Sequence, residues 1–163
     1  MIRTQAQNIV EIPLEMGQIR VSAEPALVTC YGIGSCMGVF LYDRVAKIGG
    51  GAHITLPFYD PGNTINSKLH YADYAIETLV ERLKVMGSSG NTLRAKIAGG
   101  ANIGNFSRLD VGKQNSIAVC TILRKMGIYL AGCDIGGLTG RKIIFNTSTG
   151  SVQILTNQDN YTI

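Results

Sequence analysis

"YGIGSCMGVFLYDRVAKIGGGAHITL", residues 31–56, decides how the rest of the chain is read. Two runs within it, 37–42 and 47–56, are rich in Val, Ile, Leu and Ala and bounded by turn residues, so each predicts a strand. A hairpin through the two runs returns the chain to its starting point. Cys36 stands directly behind a Gly-Ile-Gly-Ser turn, and His53 follows 17 residues later. The spacing permits a Cys–His pair across adjacent strands, the arrangement of an activated thiol nucleophile. The same residues also fit a plainer reading. A cysteine in an apolar strand is commonly a small buried hydrophobe, and a histidine there is commonly a hydrogen-bonded structural residue.

Further strands are predicted at 26–33, 95–98, 128–134, 142–146 and 151–155, with Gly150 turning a closing hairpin in "NTSTGSVQI". Two segments carry helical periodicity. In "KLHYADYAIETLVERLKVMG", Leu69, Ala72, Ile76, Leu79 and Leu83 recur at three- and four-residue steps, with Glu77, Glu81 and Lys84 opposite and Gly87 at the end. In "KQNSIAVCTILRKMG", Ile117, Cys120, Leu123 and Met126 form a stripe; Asn115 or Ser116 caps the start and Gly127 the end. Several strands and two amphipathic helices predict an α/β or α+β layered domain. With 163 residues, no repeat and no linker, the expectation is one domain over 1–163.

Composition narrows the function classes. The chain is 45% hydrophobic and 16% charged, which marks a globular protein. The net charge is +4, but the basic residues are scattered, and the densest spot, Arg124-Lys125, sits at a helix end where cations are favoured. No nucleic-acid footprint results. No run of 18 apolar residues is available to span a membrane. The opening "MIRTQAQNIVEIPLEMGQIR" carries Glu11 and Glu15 and lacks the apolar core of a signal peptide, so a cytoplasmic location is expected. The four cysteines (Cys30, Cys36, Cys120 and Cys133) form no CxxC pair and no metal-ligand spacing with the two histidines.

A reactive thiol must be accessible and deprotonated. The glycine-rich turn presents Cys36 at the tip of a strand and lets the backbone N–H groups around Gly34, Ser35 and Cys36 face inward, the geometry of an oxyanion hole. His70 is expected in solvent at a helix face. Cys120 and Cys133 are expected in the core. Phe106, an aromatic in a Gly/Asn-rich loop, is a candidate partner contact; packing beneath its own loop is the competing expectation.

The ordered blocks "GIGSCMGVFLYD", "IGGGAHITLP", "YADYAIETLVERLKVMG", "LRAKIAGGANI", "VGKQN" and "DIGGLTGRKIIFNTSTGSV" resemble the chemoreceptor glutamine deamidase family, CheD, across about residues 26 to 155. The resemblance implies a three-layer sandwich of packed β-sheets with two main helices outside. It implies a Cys-His-Thr site, without metal or organic cofactor, that hydrolyses glutamine side chains in the cytoplasmic helices of chemoreceptors. By motif position, Cys36 matches the nucleophile and His53 the base. It also implies a CheC-type phosphatase as partner, and so an alternative role as a regulatory binding module with weak or no activity. The family pattern puts a threonine six residues before the cysteine, where this chain has Cys30. Thr29 lies one residue earlier and reaches the site only if the backbone bulges near Tyr31-Gly32; otherwise Cys30 takes the place, or the third member is missing.

Overall fold

The two apolar runs fold as the antiparallel pair β4 (Met37–Asp43) and β5 (Ile48–Ile54), in register from Met37 opposite Ile54 to Asp43 opposite Ile48. The structure is a computed structural model and describes residues 9–63, 66–104 and 109–163. Every residue of β4 and β5 is buried. That explains why both segments are apolar throughout, without the alternation of a half-exposed strand. β2 (Ile19–Ser22), β5, β4, β6 (Leu93–Gly99) and β7 (Tyr129–Ile135) form one five-stranded sheet in that order. The second sheet runs β1 (Val10–Pro13), β3 (Ala26–Ile33), β8 (Arg141–Asn146), β9 (Val152–Leu155) and β10 (Asn160–Thr162).

One face of the first sheet, with Met37, Val39, Leu41, Ala52 and Ile54, packs against α1 (Ala72–Val85) and α2 (Val111–Lys125). The other face meets the second sheet, where Phe40 and Tyr42 interlock with Val28, Cys30, Ile33, Ile143, Phe145 and Ile154. The protein is therefore a three-layer α+β sandwich, with both helices on one side. Phe40 and Phe145 stack across the intersheet space, ring centroids 5.2 Å apart. Glycines on β5 make the room: a Cβ on Gly51 would lie 2.7 Å from Phe40 Cδ1, and one on Gly49 would lie 2.9 Å from Phe145 Cζ.

The helices differ from expectation in detail. A 3-10 turn at Lys68–His70 and an extended Tyr71 precede α1, so the helix starts later than the periodicity suggests. α2 is capped by Asp110, whose side chain accepts from the Lys113 N–H at 3.0 Å, and not by Asn115 or Ser116, which are buried inside the helix. Its buried stripe is Ala118, Val119, Ile122 and Leu123; Ile117 and Met126 are exposed and Cys120 is half-buried. The helix is rolled because its first turns lie on backbone: a Cβ on Gly112 would lie 2.6 Å from the Gly100 carbonyl oxygen. Cys133 is exposed, not in the core, because β7 is the edge of its sheet. Three short strands, β1, β2 and β10, go unpredicted because so few residues carry little periodicity, whereas β9, equally short, is announced by the Gly150 hairpin. The β8–β9 hairpin turns at Gly150 as expected, with φ +71°. No described helix is long and apolar enough to cross a membrane.

Because Gly51 lies beneath the Phe40 ring, Gly51→Val forces the sheets apart. A loss of about 1–3 kcal/mol is expected from overpacking. Urea denaturation measures it, and an unchanged midpoint would show that the intersheet space accepts the added volume.

Candidate active site

The site lies at the end of the β4–β5 ladder, where β3 hands over to β4 through the turn Gly34-Ser35-Cys36. His53 is opposite Gly38. Strand alternation puts Cys36, Gly38 and His53 on one face of the sheet, the face toward the second sheet. Cys36 packs against the intersheet core and is half-buried. A thiol and an imidazole thus stand diagonally across adjacent strands, with no side chain on Gly38 between them. No hydrogen bond joins Cys36 and His53 in this geometry; among the described residues the one bond of the His53 ring is to the main chain.

The imidazole is held by the main chain. Nδ1 lies 3.1 Å from the Leu14 carbonyl oxygen. A carbonyl only accepts, so Nδ1 carries the proton and Nε2 is left as the basic nitrogen. Leu14 follows β1, and its own N–H donates to the Thr29 carbonyl at 2.8 Å. His53 also lines a cavity of about 580 Å³ with Pro13, Leu14, Glu15, Met16 and Tyr31. The Tyr31 hydroxyl donates to Glu11 at 2.8 Å, and Lys142 Nζ sits 4.6 Å from its ring centroid.

Thr29 does not reach His53. The register of β3 against β8 shifts between Cys30 and Ile33, where the bulge is expected, but Thr29 keeps its regular place opposite Ile144 and is not turned by it. Val28 and Cys30 face the intersheet core, and Thr29 points to the opposite face. Its hydroxyl is buried without a hydrogen-bond partner. Cys30 does not fill the place either: burial pushes its thiol up to about 12. The Leu14 carbonyl occupies the role that the sequence reading reserved for a side chain.

Two further residues have partners that the sequence reading did not give them. His70 is not simply solvated: its Nδ1 lies 2.9 Å from the Thr55 hydroxyl, just past His53 on the same chain segment. Asn115 is fully buried and donates through Nδ2 to the carbonyls of Ser35 at 2.9 Å and Thr55 at 3.0 Å. Both contacts join residues far apart in sequence, so no local pattern announces them. Phe106 lies outside the described residues.

Burial raises the Cys36 thiol pKa, an effect opposed by its own backbone N–H. Burial also lowers that of His53, against the Leu14 bond, with His70 adding to the depression. Both shifts favour a neutral thiol beside a neutral imidazole.

A family model described as CheD chemotactic sensory transduction matches residues 55–156, a segment that begins just past His53. A Clostridium acetobutylicum protein named probable chemoreceptor glutamine deamidase CheD is 37% identical over 156 residues, spanning 93% of this chain and 94% of its own. A Clostridium botulinum protein of the same name is 40% identical over 153 residues, spanning 91% and 94%. Among solved structures, that of the Bacillus licheniformis hypothetical protein YfiH aligns with a TM-score of 0.47 and 16% identity, covering 75% of this chain and 51% of that one.

Two outcomes follow from the site's electrostatics. The His53 pKa is depressed in the folded state, so the unfolded chain binds the proton first as pH falls below the ordinary histidine value of about 6.5. Stability is full above that pH and declines below it; His53→Gln is expected to flatten the decline in denaturation midpoints between about pH 7 and 5. For the thiols, limited iodoacetamide labelling at pH 7 is expected to modify exposed Cys133 ahead of Cys36, with Cys30 last. Peptide mapping that finds Cys36 first would mean that its thiolate is stabilised after all.

Proposed function

Because the chain belongs to the CheD family of chemotactic sensory transduction proteins, we propose that it hydrolyses glutamine side chains in chemoreceptor helices to glutamate, with Cys36 as nucleophile and His53 as base. The relatives named as chemoreceptor glutamine deamidases align over more than nine-tenths of the chain, which supports this reaction and substrate class. The observation that carries the residue assignment is geometric. Cys36 and His53 face the same side of one sheet about Gly38, and the Leu14 carbonyl commits Nδ1, leaving Nε2 to take a proton.

In this mechanism Nε2 of His53 accepts the Cys36 thiol proton as the sulfur attacks the amide carbon. The carbonyl oxygen becomes an oxyanion and accepts from the N–H groups of Ser35 and Cys36, neither of which donates to the backbone of another described residue. The imidazolium returns its proton to the amide nitrogen, and ammonia leaves a thioester. Water, deprotonated by His53, then adds to the thioester, releasing glutamate and restoring the thiol. Burial keeps the resting pair neutral, so proton transfer accompanies attack instead of preceding it.

The raised thiol pKa and the missing Cys36–His53 hydrogen bond favour a second reading, a regulatory module that binds a CheC-type phosphatase and deamidates weakly or not at all. Ammonia release from receptor fragments separates the two. The first reading expects Cys36→Ala to abolish release and His53→Gln to slow it by roughly 10²- to 10⁴-fold, the usual range for a general base. Thr29→Ala should change it by less than about threefold, since its hydroxyl orients nothing at the reacting atoms. A wild type no faster than Cys36→Ala leaves the binding role.

A further inference from the structure

We propose that Asn115 is a positioning residue of this site, and that it aims the oxyanion-binding N–H of Cys36 by holding the Ser35 carbonyl of the same peptide. The inference rests on the deamidase reading of Cys36 and His53. The β4–β5 ladder ends at the pair Met37–Ile54, so the next residues outward, Cys36 and Thr55, have no rung between them. The Asn115 carboxamide takes the place of that rung. Its Nδ2 bridges the Ser35 and Thr55 carbonyls, joining the turn that carries the nucleophile to the strand that carries the base.

The direction of the bond gives it a consequence for chemistry. In a planar trans peptide the C=O and the following N–H point opposite ways. Drawing the Ser35 carbonyl toward α2 turns the Cys36 N–H to the other side, the side of its own sulfur. That agrees with the backbone N–H of Cys36 being the group that counters the burial of its thiol. The neighbouring carbonyls are held in the same manner, Gly34 by the Ala101 N–H at 2.9 Å and Cys36 by the Gly100 N–H at 2.8 Å. Three consecutive carbonyls are thus engaged, and of their holders only Asn115 acts through a side chain.

Asn115 is placed for this task at a cost. Its Oδ1 is buried with no hydrogen-bond partner. Ser116 beside it reaches Gly112 and Met37 and holds the helix turn against β4, so Asn115 is not needed merely to dock α2.

The test measures ammonia release from a glutamine-containing receptor fragment together with iodoacetamide alkylation of Cys36, in wild type, Asn115→Ala and Asn115→Ser. Alkylation displaces iodide and forms no oxyanion, so it reads the thiol without the hole. Deamidation is expected to lose roughly 10- to 100-fold in kcat, less than deletion of an oxyanion donor itself, with KM within about threefold. The Cys36 alkylation rate and its pH profile are expected to stay within about twofold. Asn115→Ser, in which water has room to bridge the two carbonyls, should recover part of the loss and serves if the alanine variant does not fold. Full activity in both variants overturns the proposal, and so does a parallel loss of deamidation and alkylation, which would mark a purely structural residue. If the wild type is no more active than Cys36→Ala, the deamidase reading itself has failed. The tie is then judged from the Cys36 amide resonance, which shifts in Asn115→Ser if Asn115 sets that peptide and stays in place if it does not.

Discussion

Burial of the β4–β5 pair on both faces is the constraint on which the rest of the structure depends. A strand pair covered by helices on one side and a sheet on the other admits no polar side chain without a partner. Ile48, Ala52 and Ile54 alternate with Gly49, Gly51 and His53, so one face supplies aliphatic bulk to the helices and the other supplies space. The rings of Phe40 and Phe145 fill that space. His53 is the exception on its face, and its polarity is tolerated because it stands near the end of the ladder, where the Leu14 carbonyl reaches it.

The same layering explains the electrostatics. A thiol and an imidazole in a partly desolvated seam are both driven toward neutrality, the first upward in pKa and the second downward. A pair of this kind differs from the thiolate–imidazolium ion pair of a pre-activated cysteine. It depends on backbone groups to stabilise charge as it develops, and the site is rich in oriented main chain. The Leu14 carbonyl holds the His53 imidazole, and the carbonyls of Gly34, Ser35 and Cys36 are each engaged by a donor. The two sheets and α2 each contribute one hold, so the site is assembled from all three layers.

Much of this was legible from residues alone. The apolar runs located β3 to β9, because a strand buried on one or both faces must be apolar in a characteristic pattern. The glycine-rich turn before Cys36, the return of His53 and the Gly150 hairpin follow from local backbone chemistry, and the number of helices from their periodicity. Short edge strands were not legible, since they draw their stability from pairing, which leaves little trace in four residues of sequence. The rotation of α2 was not legible either, because it is set by contact with the Gly100 backbone and not by the hydrophobic stripe.

The boundary falls most clearly at the site. The sequence by itself singled out Cys36 and His53 as the candidates for reactivity and predicted the turn and the hairpin that set them on neighbouring strands. Only the tertiary structure decided what holds them. Thr29 was the natural candidate for orienting the imidazole, but the bulge at residues 31–32 leaves it in regular pairing on the far face, and a backbone carbonyl from the end of β1 bonds the ring instead. Asn115 had the appearance of a helix cap and is a buried double donor to two distant carbonyls. A main-chain carbonyl is the same group at every residue, so a bond to one carries no residue-type signature. Its existence is decided where separate segments pack, which is a property of the folded chain and not of any stretch of it.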